Sequence, residues 1–321
     1  MRFFRPFSLA EILKKAHVPD SAYRLVGKLD VVVLGLDDYQ VALPDDLIWV
    51  DFEPLYNKAF KSPATVVIIN DEPASFPNNK TLVITSDPKS FFDKLASVMY
   101  EEQFAPRSFW SRCFNPKDRI VGKNCRIDKT VKIGRHVRIG NNVVIEPYVV
   151  IHDNVIIGDN VFIRSHCIIG GHPFSHTKMP DGTYLTRLSW GNTIVMNDVD
   201  LASFTNIDRG ITGSTIIGAG TKTCSLCQIG HDTWLGSNCY VCSGVTIAGY
   251  VRIGNNCTFW GKAGVSNSIR VADDTTADAC GIVIKDVVES GQTLAGFPAE
   301  PKREYWKRVV LIRKMASEYG R

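Results

Sequence analysis

No stretch of this chain is apolar for the eighteen or more residues that a membrane-spanning helix needs. Runs such as Val31-Val32-Val33-Leu34 have only the length of a strand. The opening residues, Met1-Arg2-Phe3-Phe4-Arg5-Pro6, are basic but lead into no apolar signal core, so a cytoplasmic protein is expected. A dominant charge is missing as well. The net charge is +4, and the seven basic and three acidic residues between Glu300 and Arg321 account for all of it. The remainder is neutral, which argues against a broad nucleic-acid surface and leaves room for one acidic partner at the tail, unless the tail is simply a solvated helix face. Nine cysteines in a chain read as cytosolic are expected to be free thiols. With 45% hydrophobic and 22% charged residues, the 321-residue chain has a globular composition and enough length for one large or two ordinary domains.

Residues 1–105 read as an α/β domain. Ser8-Leu9-Ala10-Glu11 fits a capping box at the start of a helix. Asp30–Leu36, Thr65–Asn70 and Thr81–Thr85 have the composition and length of strands. Asp87-Pro88 suits the N-cap and first residue of a helix reaching about Tyr100. A linker over 106–120, with Pro106 and Pro116, follows.

From residue 121 to 285 the pattern changes to a period of six. Val121, Ile127, Ile133, Ile139, Ile145, Ile151, Ile157, Ile163 and Ile169 recur without a break. Small or β-branched residues recur four places on, as at Cys125, Val131, Val137, Val143 and Val149. Neither a helix nor an amphipathic strand has this period. Stacked hexads in a parallel β-helix do. The pattern stops at Gly170 and resumes near Val195, so residues 170–192 must be extruded as a loop. A ten-residue step separates Ile207 from Ile217, after which the period runs on to Val283. In the tail, 286–321, Tyr305, Val309, Ile312 and Ala316 form one stripe of a final helix beginning near Lys302.

Acylation of an amine or hydroxyl needs a base and a donor for the tetrahedral oxyanion. Of seven histidines, most of those in the solenoid fall at outward turn positions, where a solvated histidine is the ordinary outcome. His231 differs in its neighbours: it lies in Cys227-Gln228-Ile229-Gly230-His231-Asp232, downstream of Asn206-Ile207-Asp208-Arg209-Gly210. In order and spacing these two segments resemble the I-D-R-G and Q-I-x-H-[ND] signatures of the UDP-3-O-(3-hydroxyacyl)glucosamine N-acyltransferases of lipid A biosynthesis. Those enzymes are hexapeptide-repeat acyltransferases. The resemblance extends over nearly the whole chain. It implies a left-handed parallel β-helix with three hexads per coil, assembly as a homotrimer with active sites between subunits, and acyl carrier protein presenting the acyl chain as a phosphopantetheine thioester. No metal or bound cofactor is implied.

By the same resemblance His231 is the general base, and Asp232 is a candidate to orient it. With eighteen residues per coil, Gly249 stacks on His231, and its N–H is the candidate oxyanion donor. Asp208 and Gln228 are candidate substrate contacts. The family holds uracil with an F-x-x-N-P-x-Y pattern. Here Val50-Asp51-Phe52-Glu53-Pro54-Leu55-Tyr56 keeps Pro54 and Tyr56 but has Val50 and Glu53 at the aromatic and asparagine positions. Trp49, Phe52, Glu53 and Tyr56 are therefore the candidates for the nucleotide. In the extruded loop His172 and Phe174 are further candidates, in a sequence, Gly170 to His176, that differs from the family's glycine-rich one. The second histidine of many members has no counterpart in Ser266–Arg270. Lys302, Arg303, Lys307 and Arg308 are the expected contacts for the acidic carrier protein. Cys224-x-x-Cys227 and Cys239-x-x-Cys242 mimic a zinc ribbon, but the hexad frame points Cys227 and Cys239 inward and Cys224 and Cys242 outward, so no zinc site is expected. Two other readings stay open: an acetyl-CoA-dependent sugar acetyltransferase, and a non-catalytic prism.

Overall fold

The structure, a computed structural model, describes residues 2–37, 39, 42–104, 119–178, 182–296 and 301–319. Positions 106–118 of the expected linker lie outside the described residues.

The N-terminal domain is built on one six-stranded sheet. In chain order its elements are β1 (Arg2–Ser8), α1 (Leu9–Lys15), β2 (Arg24–Val26), β3 (Val32–Leu36), β4 (Asp46–Trp49), α2 (Tyr56–Lys61), β5 (Val66–Ile69), β6 (Thr81–Ile84) and α3 (Pro88–Phe104). The order across the sheet is β1-β3-β4-β5-β6-β2. The four central strands run parallel, and the two edge strands are antiparallel to their neighbours. Parallel strands covered on both faces are apolar throughout, and all four residues of β5 are buried. Ser8 and Glu11 cap α1 reciprocally, side chain to backbone in both directions. Asp87 Oδ1 accepts the Ser90 N–H at 3.0 Å and so caps α3.

The second domain is a three-faced prism. Its faces contain eight, nine and eight short parallel strands, the first strands being Ile120–Val121, Arg126–Ile127 and Lys132–Ile133. Away from the extruded loop and the ten-residue step, strands pair with those eighteen residues away on the next coil, as Arg138 does with Ile156 and Val144 with Phe162, whereas across the extruded loop Ile156 pairs with Ile194. The six-residue period follows from the corner geometry. At most corners the residue three past the inward aliphatic adopts a left-handed conformation, as at Asn142, Asn160, Asp232, Asn238 and Tyr250. Asparagine and aspartate tolerate that conformation best among residues with a side chain. Along one edge they also stack, Asn124 donating to Asn142, Asn142 to Asn160 and Asn160 to Asp198, at 3.3, 3.0 and 3.0 Å. Inside, the aliphatics from Ile133 to Val283 form one continuous core.

Two departures from the period shape the functional surface. The extruded loop leaves at Gly170 and folds into a hairpin of His176–Lys178 against Tyr184–Thr186. It does not simply project into solvent. Its returning limb docks on the N-terminal domain, where Trp190 is buried in the core of α1, α3 and the sheet with Leu188 beside it. Arg187 Nη2 donates to Asp93 of α3 at 2.9 Å in a largely buried ion pair. The second departure, the ten-residue step, places a small bulge at residues 210–213 beside the His231 corner. Beyond the prism, α4 (Lys302–Tyr319) exposes Tyr305, Trp306, Val310, Leu311, Ile312 and Met315, so its apolar stripe is not covered by the other described residues.

Candidate active site

At the edge between the third and first faces the corners of successive coils stack, and His231-Asp232 is one such corner. Asp232 occupies the left-handed position with φ 55°. Its carboxylate turns inward and is buried. Oδ2 accepts the Ile211 N–H at 2.7 Å and Oδ1 accepts the Gly213 N–H at 3.2 Å, both from the bulge. Its own N–H donates to Thr215 Oγ1 at 2.9 Å. A side chain on Gly210 would meet Oδ1 at 2.8 Å, which keeps that position a glycine. His231 Nδ1 lies 3.0 Å from Asp232 Oδ2. Because this carboxylate accepts hydrogen bonds through both oxygens, Nδ1 is the donor, and the imidazole lone pair remains on Nε2.

Gly249 stands on the next coil, with the Tyr250 N–H donating to the His231 carbonyl at 2.9 Å. The ring lies directly against its Cα: an added Cβ would sit 2.6 Å from Nε2 and 2.7 Å from Cε1. Tyr250 completes the wall, its ring edge-on to the imidazole with centroids 4.9 Å apart. The same close approach frees a donor. At other corners the N–H of the first turn residue is taken by the side chain stacked above it: Arg135 N–H by Asp153, Ser237 N–H by Asn255 and Asn255 N–H by Asp273. Asn267, stacked on Gly249, instead turns its amide to Ser268 Oγ at 2.7 Å. Among the described residues the Gly249 N–H therefore has no acceptor. Addition to a carbonyl requires a proton acceptor and an oxyanion donor, and this corner offers an imidazole with an open Nε2 and, one coil away, an N–H without an acceptor among the described residues.

Beside them on the third face Asn206, Asp208 and Gln228 close a polar triangle. Asn206 Nδ2 donates to Asp208 Oδ1 at 3.1 Å and to Gln228 Oε1 at 2.6 Å, and Gln228 Nε2 donates to Asp208 Oδ2 at 3.0 Å. Burial raises the Asp208 pKa, while the two amides and the neighbouring His231 charge act to lower it. A carboxylate so placed stabilises an imidazolium at His231 without touching the proton being moved.

The remaining candidates lie elsewhere. Val50 and Tyr56 are buried, and the Tyr56 hydroxyl donates to Asn70 Oδ1 and accepts the Asp71 N–H at 3.3 Å. Trp49 packs with its ring centroid 6.4 Å from that of Phe92 at the N-terminal core, whereas Phe52, 59% exposed, and Glu53 face solvent. In the loop Phe174 is 92% exposed, edge-on to His176 at 4.6 Å. His172 lies at the loop's base near Arg209 and His152. Desolvation first, and then the Arg209 and His152 charges, push its pKa down to about 4. One side of this imidazole stays open to water, which tempers that depression. Arg209 itself is buried as a brace, its Nε donating to the Gly170 carbonyl at 2.9 Å and its Nη2 to that of Asp153 at 3.2 Å. Lys302, Arg303, Lys307 and Arg308 are exposed on α4, with Lys307 Nζ 2.8 Å from Glu304.

Cysteine chemistry plays no part in this corner. Cys227 is buried, donates to the Cys224 and Cys242 carbonyls at 3.2 and 3.1 Å, and has its pKa pushed up to about 11 by burial. Cys239 is buried on another face while Cys224 is exposed, and among the described residues no three His, Cys, Asp or Glu side chains gather to hold a metal ion.

The spacing singled out the histidine but gave Asp232 only the standing of a neighbour. The backbone donors Ile211 and Gly213, which turn Asp232 inward, were not anticipated; the ten-residue step between Ile207 and Ile217 was their signal. Tyr250 had no signal beyond its place at a corner.

Comparison with known proteins bears on the prism. The family described as bacterial transferase hexapeptide (six repeats) matches residues 120–152, 136–171 and 214–249. A UDP-3-O-acylglucosamine N-acyltransferase from Campylobacter jejuni subsp. doylei is 36% identical over 141 residues, 44% of each chain. Another of that name from Rhizobium meliloti is 36% identical over 150 residues, 47% of this chain and 42% of the relative. The solved UDP-N-acetylglucosamine acyltransferase from Campylobacter jejuni superposes with a TM-score of 0.49 at 21% identity, covering 64% of this chain and 82% of that one. The chain thus matches less than half the length of its curated relatives. Over that span it carries bacterial transferase hexapeptide repeats and is similar to UDP-3-O-acylglucosamine N-acyltransferases.

Proposed function

We propose that this protein is an N-acyltransferase that moves a 3-hydroxyacyl chain from acyl carrier protein to the amine of a UDP-3-O-acyl-glucosamine-type sugar in lipid A biosynthesis. The observation that carries the reading is the corner at which an Asp232-anchored imidazole packs through Nε2 against Gly249, whose N–H has no acceptor among the described residues. His231 Nε2 takes a proton from the attacking amine as its nitrogen adds to the thioester carbonyl. The resulting oxyanion is held by the Gly249 N–H. Collapse forms the amide, breaks the C–S bond and returns the proton from His231 to the departing thiolate. Asp232 keeps Nδ1 protonated throughout, and the Asp208 carboxylate offsets the transient imidazolium charge. Atoms and charges balance without a metal or covalent enzyme intermediate.

Three features support the finer assignments. Relatives that match the prism carry the N-acyltransferase name. Exposed Lys302, Arg303, Lys307 and Arg308 suit an acidic carrier. The uncovered stripe of α4 suits burial against copies of itself in a homotrimer. Exposed Phe52 and Glu53 are the groups we assign to the nucleotide, with Asp208, Gln228, His172 and Phe174 toward the sugar and its acyl chain. Mass spectrometry tests the reading directly, using purified protein, UDP-3-O-(3-hydroxyacyl)glucosamine and a panel of 3-hydroxyacyl carrier proteins. A product heavier by one hydroxyacyl group, lost with His231→Ala, is expected. Absence of product with every chain length overturns the acceptor assignment. Activity surviving in His231→Ala overturns the base.

A further inference from the structure

On the edge between the second and third faces, a different edge from the one that carries His231, two thiols stand one coil apart. Thr223 pairs with Val241 across adjacent coils, so Cys224 and Cys242, the residue after each, share one column. The Cys224 N–H donates to the Val241 carbonyl at 2.6 Å, and the Cys242 N–H to that of Phe259 at 2.8 Å. Cys224 is exposed and Cys242 half-buried, whereas Cys227 turns inward with its thiol held by both their carbonyls. Ser243 Oγ donates to Cys224 Sγ at 2.8 Å, a hydrogen bond that favours the thiolate. Ala202 precedes the pair in the column and Trp260 follows it, so neither neighbour brings an anionic oxygen. Among the described residues no His, Asp, Glu or further Cys side chain joins these two to make a metal-holding group of three. The acyl-transfer step uses neither thiol.

We propose that Cys224 and Cys242 form a two-coordinate site for a soft monovalent cation, copper(I), bridged between their sulfurs. The inference does not depend on the acyl-transfer reading. Ligand type supports it. Two thiolates suit a soft ion, whereas a zinc ion would need four ligands and a hard cation would need oxygen donors. Spacing supports it as well. Neighbouring strands lie about 4.8 Å apart, and in-register side chains on parallel strands stand side by side at that distance. A disulfide draws its two Cβ atoms to about 3.5–4.5 Å, which would pull the coils together. Two metal–thiolate bonds of about 2.3 Å, the length found with zinc, set their sulfurs up to about 4.6 Å apart. An ion therefore fills the gap with the backbone at rest. Charge points the same way. Burial first, and then the neighbouring Cys224, raise the Cys242 pKa. A cation between the sulfurs relieves that repulsion, each thiol giving its proton to solvent as the ion enters. The exposed Cys224 sulfur is the point of entry.

Anaerobic titration of the full chain with copper(I), buffered by the chelator bicinchoninate, reads the site without turnover. One tightly held ion is expected per chain, with affinity falling about 100-fold in Cys224→Ser and in Cys242→Ser alike. Cys280→Ser, which removes another exposed thiol from the same edge, should leave the affinity unchanged. X-ray absorption at the copper edge should show two sulfur neighbours and no nitrogen or oxygen. A second measurement needs no variant: copper should protect Cys224 and Cys242 of the wild-type chain from iodoacetamide, read peptide by peptide by mass spectrometry, and leave Cys280 reactive. Copper held as tightly by Cys224→Ser as by the wild type, affinity lost in Cys280→Ser, or equal alkylation of the pair with and without copper overturns the proposal. Cys224→Ser should transfer acyl chains at the wild-type rate, so the copper site and the acyl-transfer function stand or fall separately.

Discussion

Gly249→Ala is the sharpest test of the corner, because it keeps the backbone N–H and changes only the space in front of the base. The new methyl carbon would lie 2.6 Å from Nε2, 2.7 Å from Cε1 and 3.0 Å from Cδ2 of His231. Every one of these is below ordinary contact, so the ring must retreat by roughly 0.8–1 Å to regain van der Waals separation. It cannot do so freely. Nδ1 is held 3.0 Å from an Asp232 carboxylate that is itself pinned by two backbone N–H groups, and Tyr250 stands edge-on at 4.9 Å. A misplacement of about 1 Å in a reacting group costs on the order of 10²-fold in rate. Overpacking costs about 1–3 kcal/mol of stability. We therefore expect kcat/KM to fall about 100-fold, through kcat, with the protein folded and its melting temperature only modestly lowered. The assay is the mass-spectrometric transfer reaction run at saturating sugar, with circular dichroism as the check on folding. A Gly249→Ala protein within about threefold of wild-type activity refutes the placement of the imidazole and the mechanism built on it.

Asp232→Asn leaves the shape intact but sets an amide NH₂ against the Ile211 or Gly213 N–H, and so removes the acceptor that fixes the tautomer. Rate should drop by about 10²–10⁴-fold and stability by about 1–3 kcal/mol, read by kinetics and thermal melting. Arg187→Met strands the Asp93 carboxylate between loop and α3, at an expected cost of about 3–5 kcal/mol, and adding Asp93→Leu should recover most of it. Burial already raises the Asp93 pKa and Arg187 opposes the rise. The folded variant therefore holds the proton more tightly than the unfolded chain, and its stability should be greatest below the ordinary aspartate range and be lost as pH rises through the folded pKa. Melting curves at pH 4.5 and 7.5 decide it. His152 and His172 have lowered pKa values, chiefly through desolvation with Arg209 adding to it. The unfolded chain thus binds more protons, and stability present above pH 6.5 should decline as pH falls toward 4. The double variant His152→Gln, His172→Gln should flatten that slope, and an unchanged slope refutes the assignment.

The amino-acid sequence by itself determined the prism. A six-residue period is incompatible with helix or flat strand, and the corner residues declare it independently, since asparagines such as Asn142 and Asn160 supply the left-handed turn each hexad needs. Helix capping by Ser8 with Glu11 and by Asp87 was equally readable, because a cap is a contact between residues three apart. Edge strands β1 and β2 were not, since their place in the sheet depends on partners that no local pattern names. At the corner, His231 stood out by its neighbours, and its stacking on Gly249 followed from the eighteen-residue repeat. Only the tertiary structure decided the rest. Asp232 turns inward because a bulge one coil earlier presents two N–H groups to it. Gly249 has a spare donor because Asn267 bonds elsewhere. Trp190, which belongs to the extruded loop by sequence, is buried against the N-terminal domain. Each of these rests on where backbone N–H groups and side chains meet across coils and domains. A one-dimensional pattern records the period of such meetings and leaves their partners to the fold.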